Sequence, residues 1–334
     1  MNAFIQLIAV ALLAVLSFGA SARDYSGMYS SYDLQRASNS YSNNIRAVLM
    51  EDIAGYLTTS ESATLNKVQL AQPWNRLVDP FEFSANPSTG MILVPTFSVK
   101  FFDDLAIATA WFERFNCNKE AVFDYVAALD FNDRALQAPL PELGVPNDAY
   151  KLDNYVDDVS QKTLKSALAF LLLHELGHVH HQHKPYDVIT TAKAQAQEAE
   201  ADQFAMNVLR RMRLPPMGMT VWFMAISMRD PLVEGSPRQT HPMTSDRLQA
   251  IASELRRNPE DFIEPANQDT WTTNDIRAVA SKIDTIARNL ADPDLRSFVR
   301  ERGRLATPAL LANACDAQQH NQDWMQKFKD LLEK

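Results

Sequence analysis

His174-Glu175-Leu176-Gly177-His178 follows the apolar run Ser166 to Leu173. Positions three and four apart are neighbours on a helical surface, so His174 and His178 stack one turn apart. They can therefore offer two imidazole nitrogens to one metal ion, with Glu175 rotated to the side of the pair. The preceding residues, Ala167, Leu168, Phe170, Leu171, Leu172 and Leu173, are apolar almost all round, which predicts a buried helix. Buried imidazoles and a buried carboxylate have to be satisfied inside the fold, and a metal ion does this.

A second helical run, Lys193 to Met212, carries Glu198-Ala199-Glu200-Ala201-Asp202. Glu198, Asp202, Ala205 and Leu209 share one face by their i, i+4, i+7, i+11 spacing. Glu198 is expected as the third metal ligand, leaving a fourth zinc position open for water. Asp202, one turn on, is expected to accept the free ring N–H of a ligating histidine and fix its tautomer. Glu200 points elsewhere and reads as solvated. His180, His181 and His183 read as a polar helix end before Pro185, the alternative being an accessory metal site. Two neutral His ligands, a carboxylate ligand and Glu175 as base form the donor set of a zinc peptidase. In that chemistry Glu175 takes the proton of a zinc-bound water and returns it to the leaving amine.

Taken together, His174-Glu175-x-x-His178 and Glu198-x-x-Ala201-Asp202 resemble a gluzincin metallopeptidase. More narrowly they resemble the CAAX-prenyl-protease and heat-shock membrane peptidase family with its soluble periplasmic relatives. Thr240-His241-Pro242 with Arg247 resembles that family's H-P-x-x-x-x-R segment, and the three motifs occur in family order between Leu164 and Leu255. The 19 residues between His178 and Glu198 are shorter than in the membrane members and closer to thermolysin-like spacing, which leaves soluble phage-exclusion-type and other small gluzincins open. A metzincin continuation is excluded, because His181 and Lys184 stand where its glycine and third histidine would be. The resemblance implies a zincin-like core, one zinc per chain and a peptide or protein substrate. It also places His241 at the catalytic site, either as an oxyanion donor or as a gate on the open zinc position. Arg247 is then available to pair with Asp202 or Glu200.

With 334 residues, 46% hydrophobic and 22% charged, the chain can bury a sizeable core in one or two domains. A net charge of −9 and the lack of a Lys/Arg cluster argue against a nucleic-acid partner. The apolar stretch Phe4 to Phe18 followed by Ala20-Ser21-Ala22 reads as a signal peptide cleaved after Ala22, giving a periplasmic or secreted protein. No later run reaches the roughly 20 apolar residues of a membrane span.

The expected fold is α+β and mainly helical: a zincin-like core with a small edge-strand sheet and a helical C-terminal region. The expected divisions are 1–22 signal peptide, 23–90 N-terminal arm and helices, 91–257 peptidase core and 258–334 helical region. Residues 23–44, rich in Ser, Tyr and Asn, read as an irregular arm. Helices are expected over Ile45–Leu57, Leu65–Leu70, Leu105–Asn116, Lys119–Asp130, Val221–Met228, Arg247–Arg257, Ile276–Leu290, Leu295–Arg302 and Pro308–Leu332. Met91 to Phe101 reads as an edge strand interrupted by Pro95, a place where extended substrate could add. Asp157 and Ser160 are expected caps of the active-site helix. Cys117 and Cys315 are the two cysteines, and in an exported chain they are expected to pair. The competing functional readings are a binding or chaperone-like protein that keeps the metal for structure, and a non-peptide amide hydrolase.

Overall fold

A computed structural model of the chain describes residues 25–75, 79–229, 243–264 and 271–315. The signal segment, His241 and the C-terminal part of the run Pro308–Leu332 lie outside the described residues. The protein is mainly helical with one small sheet, as the sequence predicts. Helices are numbered in chain order: α1 Ser31–Ala47, α2 Thr59–Leu65, α3 Thr96–Arg114, α4 Glu120–Phe131, α5 Pro139–Glu142 and α6 Ala149–Leu152. They continue with α7 Asn154–His181, α8 Thr191–Met212, α9 Met217–Ser227, α10 Ser245–Arg257, α11 Thr273–Ala291, α12 Pro293–Leu305 and α13 Pro308–Ala312.

α7 is the axis of the molecule. It packs against α3, α8 and α9, and its run from Ser166 to Val179 is buried throughout. This is the all-round apolar helix that the sequence predicts. Its start lies upstream of the expected caps: Asp153 accepts hydrogen bonds from the Tyr155 and Val156 amides and is paired with Arg114 at 2.9 Å. Asp157 and Ser160 lie inside the helix.

The sheet holds β1 Gln69–Ala71, β2 Ser84–Asn86 and β3 Met91–Leu93 in the order β1-β3-β2. β3 runs parallel to β1 and antiparallel to β2. The expected long edge strand is therefore corrected twice. Met91–Leu93 is the central strand, and Pro95 precedes the first turn of α3 rather than interrupting a strand. From Thr96 the β-branched and aromatic residues are buried around a helix: Phe97, Val99, Phe101 and Phe102 are all in the core. A short apolar run does not distinguish a buried strand from a buried helix, and burial explains the composition here.

The expected irregular arm is also corrected. Ser30 caps α1 by accepting from the Asp33 amide, and Leu34, Ala37 and Ile45 bury one face. Tyr29, just before the helix, and Tyr41 within it bond the buried carboxylates of Asp104 and Asp103 on α3, so polar residues of this segment seal a contact. The helix runs on through a π-helical stretch, Val48–Ile53, and a 3-10 turn, Ala54–Tyr56. Leu65 to Leu70 is split between the end of α2 and the start of β1.

C-terminal helices close around this core. α10 packs on α11, and α12 lies against α4. Cys117, between α3 and α4, is bonded to Cys315, which joins the end of the described chain to the core.

Candidate metal centre

His174 and His178 face each other at the buried end of α7, with their Nε2 atoms 3.0 Å apart. α8 crosses α7 beside them. The crossing is close because Gly177 has no side chain: a Cβ there would stand 3.1 Å from both the Ala201 Cα and the Phe204 Cβ. That approach brings Glu198 over the imidazole pair, its oxygens 3.5 Å from His174 Nε2 and 3.3 Å from His178 Nε2. All three side chains are buried, Glu198 completely. One atom from each lies within 4.8 Å of the others, and among the described residues these three form the cluster able to hold a metal ion. Two imidazoles and a carboxylate in a buried site match the preference of a catalytic zinc site with three protein ligands.

The surrounding charges fix the donors. His174 turns Nδ1 to Asp202 at 2.9 Å, the contact expected from the i, i+4 spacing. Arg247 grips Asp202 with Nε and Nη2 at 2.7 and 2.8 Å. Its Nη1 reaches Glu198 at 2.6 Å. Arg247 therefore pairs with Asp202, as expected, and with Glu198 rather than Glu200. Burial disfavours the guanidinium charge, but Asp202 and Glu198 outweigh this and keep it protonated. Burial likewise opposes a charge on His174, yet Asp202 and Glu198 push its pKa up to about 10.

Glu175 is buried and shares a pocket wall with His174. Apart from these two and Arg247 the lining is apolar, with Phe83, Phe170, Trp222, Phe223, Ile226 and Met243 among it. Trp222 is set by edge-on contacts with Phe81, Phe83 and Phe102, so this wall is part of the core packing.

Two residues escaped the sequence reading as parts of the site. The Tyr186 hydroxyl, on a short 3-10 turn between α7 and α8, donates to Glu198. Burial, then Glu198 and Glu175, raise its pKa well above the phenol range, so it remains a donor. His183 sits against His178 with Nδ1 to Nδ1 at 2.8 Å, and Glu200 is 3.0 Å from the other ring nitrogen of His183. Glu200 is half-exposed, as a solvated reading requires, but it also holds His183. Neither H-E-x-x-H nor E-x-x-A-D spacing encodes Tyr186 or His183, because both lie on the irregular connection.

The family comparison agrees with this site. Residues 117–266 match a family model described as Peptidase U49. The match contains α7, α8 and Arg247, and with the buried His174–His178–Glu198 cluster it supports a metallopeptidase-like identity. No curated protein and no solved structure matches the chain.

Proposed function

We propose that the chain is a zinc-dependent endopeptidase of gluzincin type, exported from the cytoplasm. The observation that carries this reading is the buried convergence of His174, His178 and Glu198 with Glu175 beside them. A zinc ion held by those three side chains would polarise a carbonyl and make a water acidic near neutral pH.

The chain's own residues supply the rest. Glu175 accepts the proton of the attacking water and delivers it to the departing amine nitrogen. Asp202 keeps His174 in the tautomer that presents Nε2, and Arg247 holds Asp202 and Glu198 in place. Tyr186 is a protonated donor beside the carboxylates. The apolar pocket takes an apolar side chain next to the scissile bond and excludes water from the base. β2 is an edge of the sheet, lies against α7 and directly follows Phe83 of the pocket wall, so it is the edge to which extended substrate would add. The buried disulfide end at Cys117 supports an oxidising compartment, in line with the signal-like N-terminus. His241, six residues before Arg247, is carried as a gate or oxyanion donor on its H-P-x-x-x-x-R position alone.

Ligand substitution tests the reading. Glu198→Gln should strip zinc from the purified protein, whereas Glu200→Gln, whose amide oxygen can still accept from His183, should keep it. Zinc retained in the first and lost in the second would reject this ligand set.

A further inference from the structure

The two imidazoles of the pair are anchored differently. His174 is backed by a buried carboxylate, Asp202, which Arg247 locks. On His178 the corresponding Nδ1 position is taken by another imidazole, that of His183. We infer that His183, backed by Glu200, is a positioning residue that holds His178 in its metal-binding tautomer. The inference rests on the metal-site reading above.

Hydrogen-bond polarity runs one way through this chain. If Nε2 of His178 faces a metal ion, its proton is on Nδ1. That N–H donates across 2.8 Å to Nδ1 of His183, which must then be bare. His183 consequently carries its proton on Nε2 and donates it across 3.0 Å to Glu200, an acceptor-only carboxylate. Glu200 therefore fixes the His183 tautomer, and His183 fixes that of His178.

The local fold is built to keep His183 there. Gln182 ends α7 in the left-handed region, at φ 52° and ψ 47°. The His183 amide then donates back to the His178 carbonyl at 3.1 Å, closing a Schellman-type turn. A non-glycine residue holds that conformation at a cost of about 1 kcal/mol. The next residue is clamped from α8: Gln197 accepts from the Lys184 amide at 3.0 Å and donates to the Lys184 carbonyl at 2.9 Å. His183 itself is only 7% exposed. α8 thereby serves both imidazoles, with Asp202 behind His174 and Glu200 behind His183.

Zinc affinity, measured by competition with a chromophoric chelator at pH 8, tests the assignment. His183→Ala should bind zinc about 10- to 100-fold more weakly, the usual effect of losing such a support. His183→Gln, whose amide can accept from His178 and donate to Glu200, should restore most of the affinity. Glu200→Ala should weaken binding in the same direction. His180→Ala, whose ring bonds Thr64, should not change it. Wild-type affinity in both His183→Ala and Glu200→Ala overturns the inference, as does a glutamine variant no better than alanine. If His183→Ala fails to fold, Glu200→Ala decides, because a half-exposed carboxylate can be removed without emptying the core. In zinc-loaded wild type, nitrogen-15 spectra should show a proton on Nε2 of His183 and none on its Nδ1. A well-folded wild type that binds no zinc would instead reject the metal centre itself.

Discussion

Gly218, in the first turn of α9, offers a quantitative test of how the site is walled. In an open helix, Gly→Ala stabilises by up to about 1 kcal/mol. At Gly218 the new Cβ would stand 1.9 Å from the Thr163 carbonyl oxygen and 2.7 Å from the Ala167 nitrogen. Both are α7 backbone atoms, so no rotamer change relieves the clash and α9 has to retreat by more than 1 Å to reach ordinary contact distance. Retreat opens gaps around Met219, Trp222 and Phe223, which are almost fully buried. Losing a quarter of the burial of three such side chains costs about 2 kcal/mol. The Gly218 amide also loses its 2.6 Å bond to Ser166 Oγ, worth about 1 kcal/mol. Gly218→Ala should therefore destabilise by about 3 kcal/mol, or roughly 4 °C in melting temperature for a chain of this size. Gly55→Ala is the control, since nothing lies within 4 Å of its Cβ position. Urea titration and thermal melts of both variants read the effect. Peptidase turnover should fall in Gly218→Ala because α9 walls the pocket, while zinc content should hold because the proposed ligands are on α7 and α8. Equal stability of the two glycine variants would refute this packing.

Reducing the Cys117–Cys315 bridge should lower stability by up to about 5 kcal/mol, since it closes a loop with a sequence separation of 198. Unreduced, denatured protein should show no titratable thiol, and two thiols would contradict the bridge. Asp103 is buried, and burial raises its pKa to about 6 despite the Tyr41 bond, with Asp104 adding repulsion and Lys100 opposing it. A folded-state carboxyl that holds its proton more tightly than the unfolded one makes stability fall as pH rises from about 4 to about 6. For Asp103 the fall is on the order of 3 kcal/mol, so Asp103→Asn should gain on wild type over that interval. A stability difference that does not change with pH would reject this.

What the sequence displayed followed from how each residue acts. The metal cluster was legible because two helices with 3.6-residue periodicity dictate which side chains share a face. His174, His178, Glu198 and Asp202 needed only that periodicity to be aligned. Arg247 was legible as a partner for Asp202, but its second grip on Glu198 depends on how α10 lands beside α8, which no local pattern encodes. His183 and Tyr186 stand on a non-periodic connection, and their roles depend on one left-handed residue, Gln182, and on the Gln197 clamp. In the fold, α1 was hidden because its Ser, Tyr and Asn content favours caps and turns locally. The buried Tyr29–Asp104 bond and the partly buried Tyr41–Asp103 bond override that preference. Met91 to Phe101 misled for the opposite reason: α3 is buried on all sides, so its residues are as apolar and β-branched as a central strand's.

The central claim is that Glu175 is the base of a zinc peptidase and not one of its ligands. Zinc content and turnover of purified Glu175→Gln, read together against wild type, test it most directly. The account predicts about one zinc per chain in both proteins, cleavage of a digestible protein by wild type, and loss of that cleavage in the variant. A Glu175→Gln protein that cleaves as fast as wild type, or that loses its zinc, would contradict it.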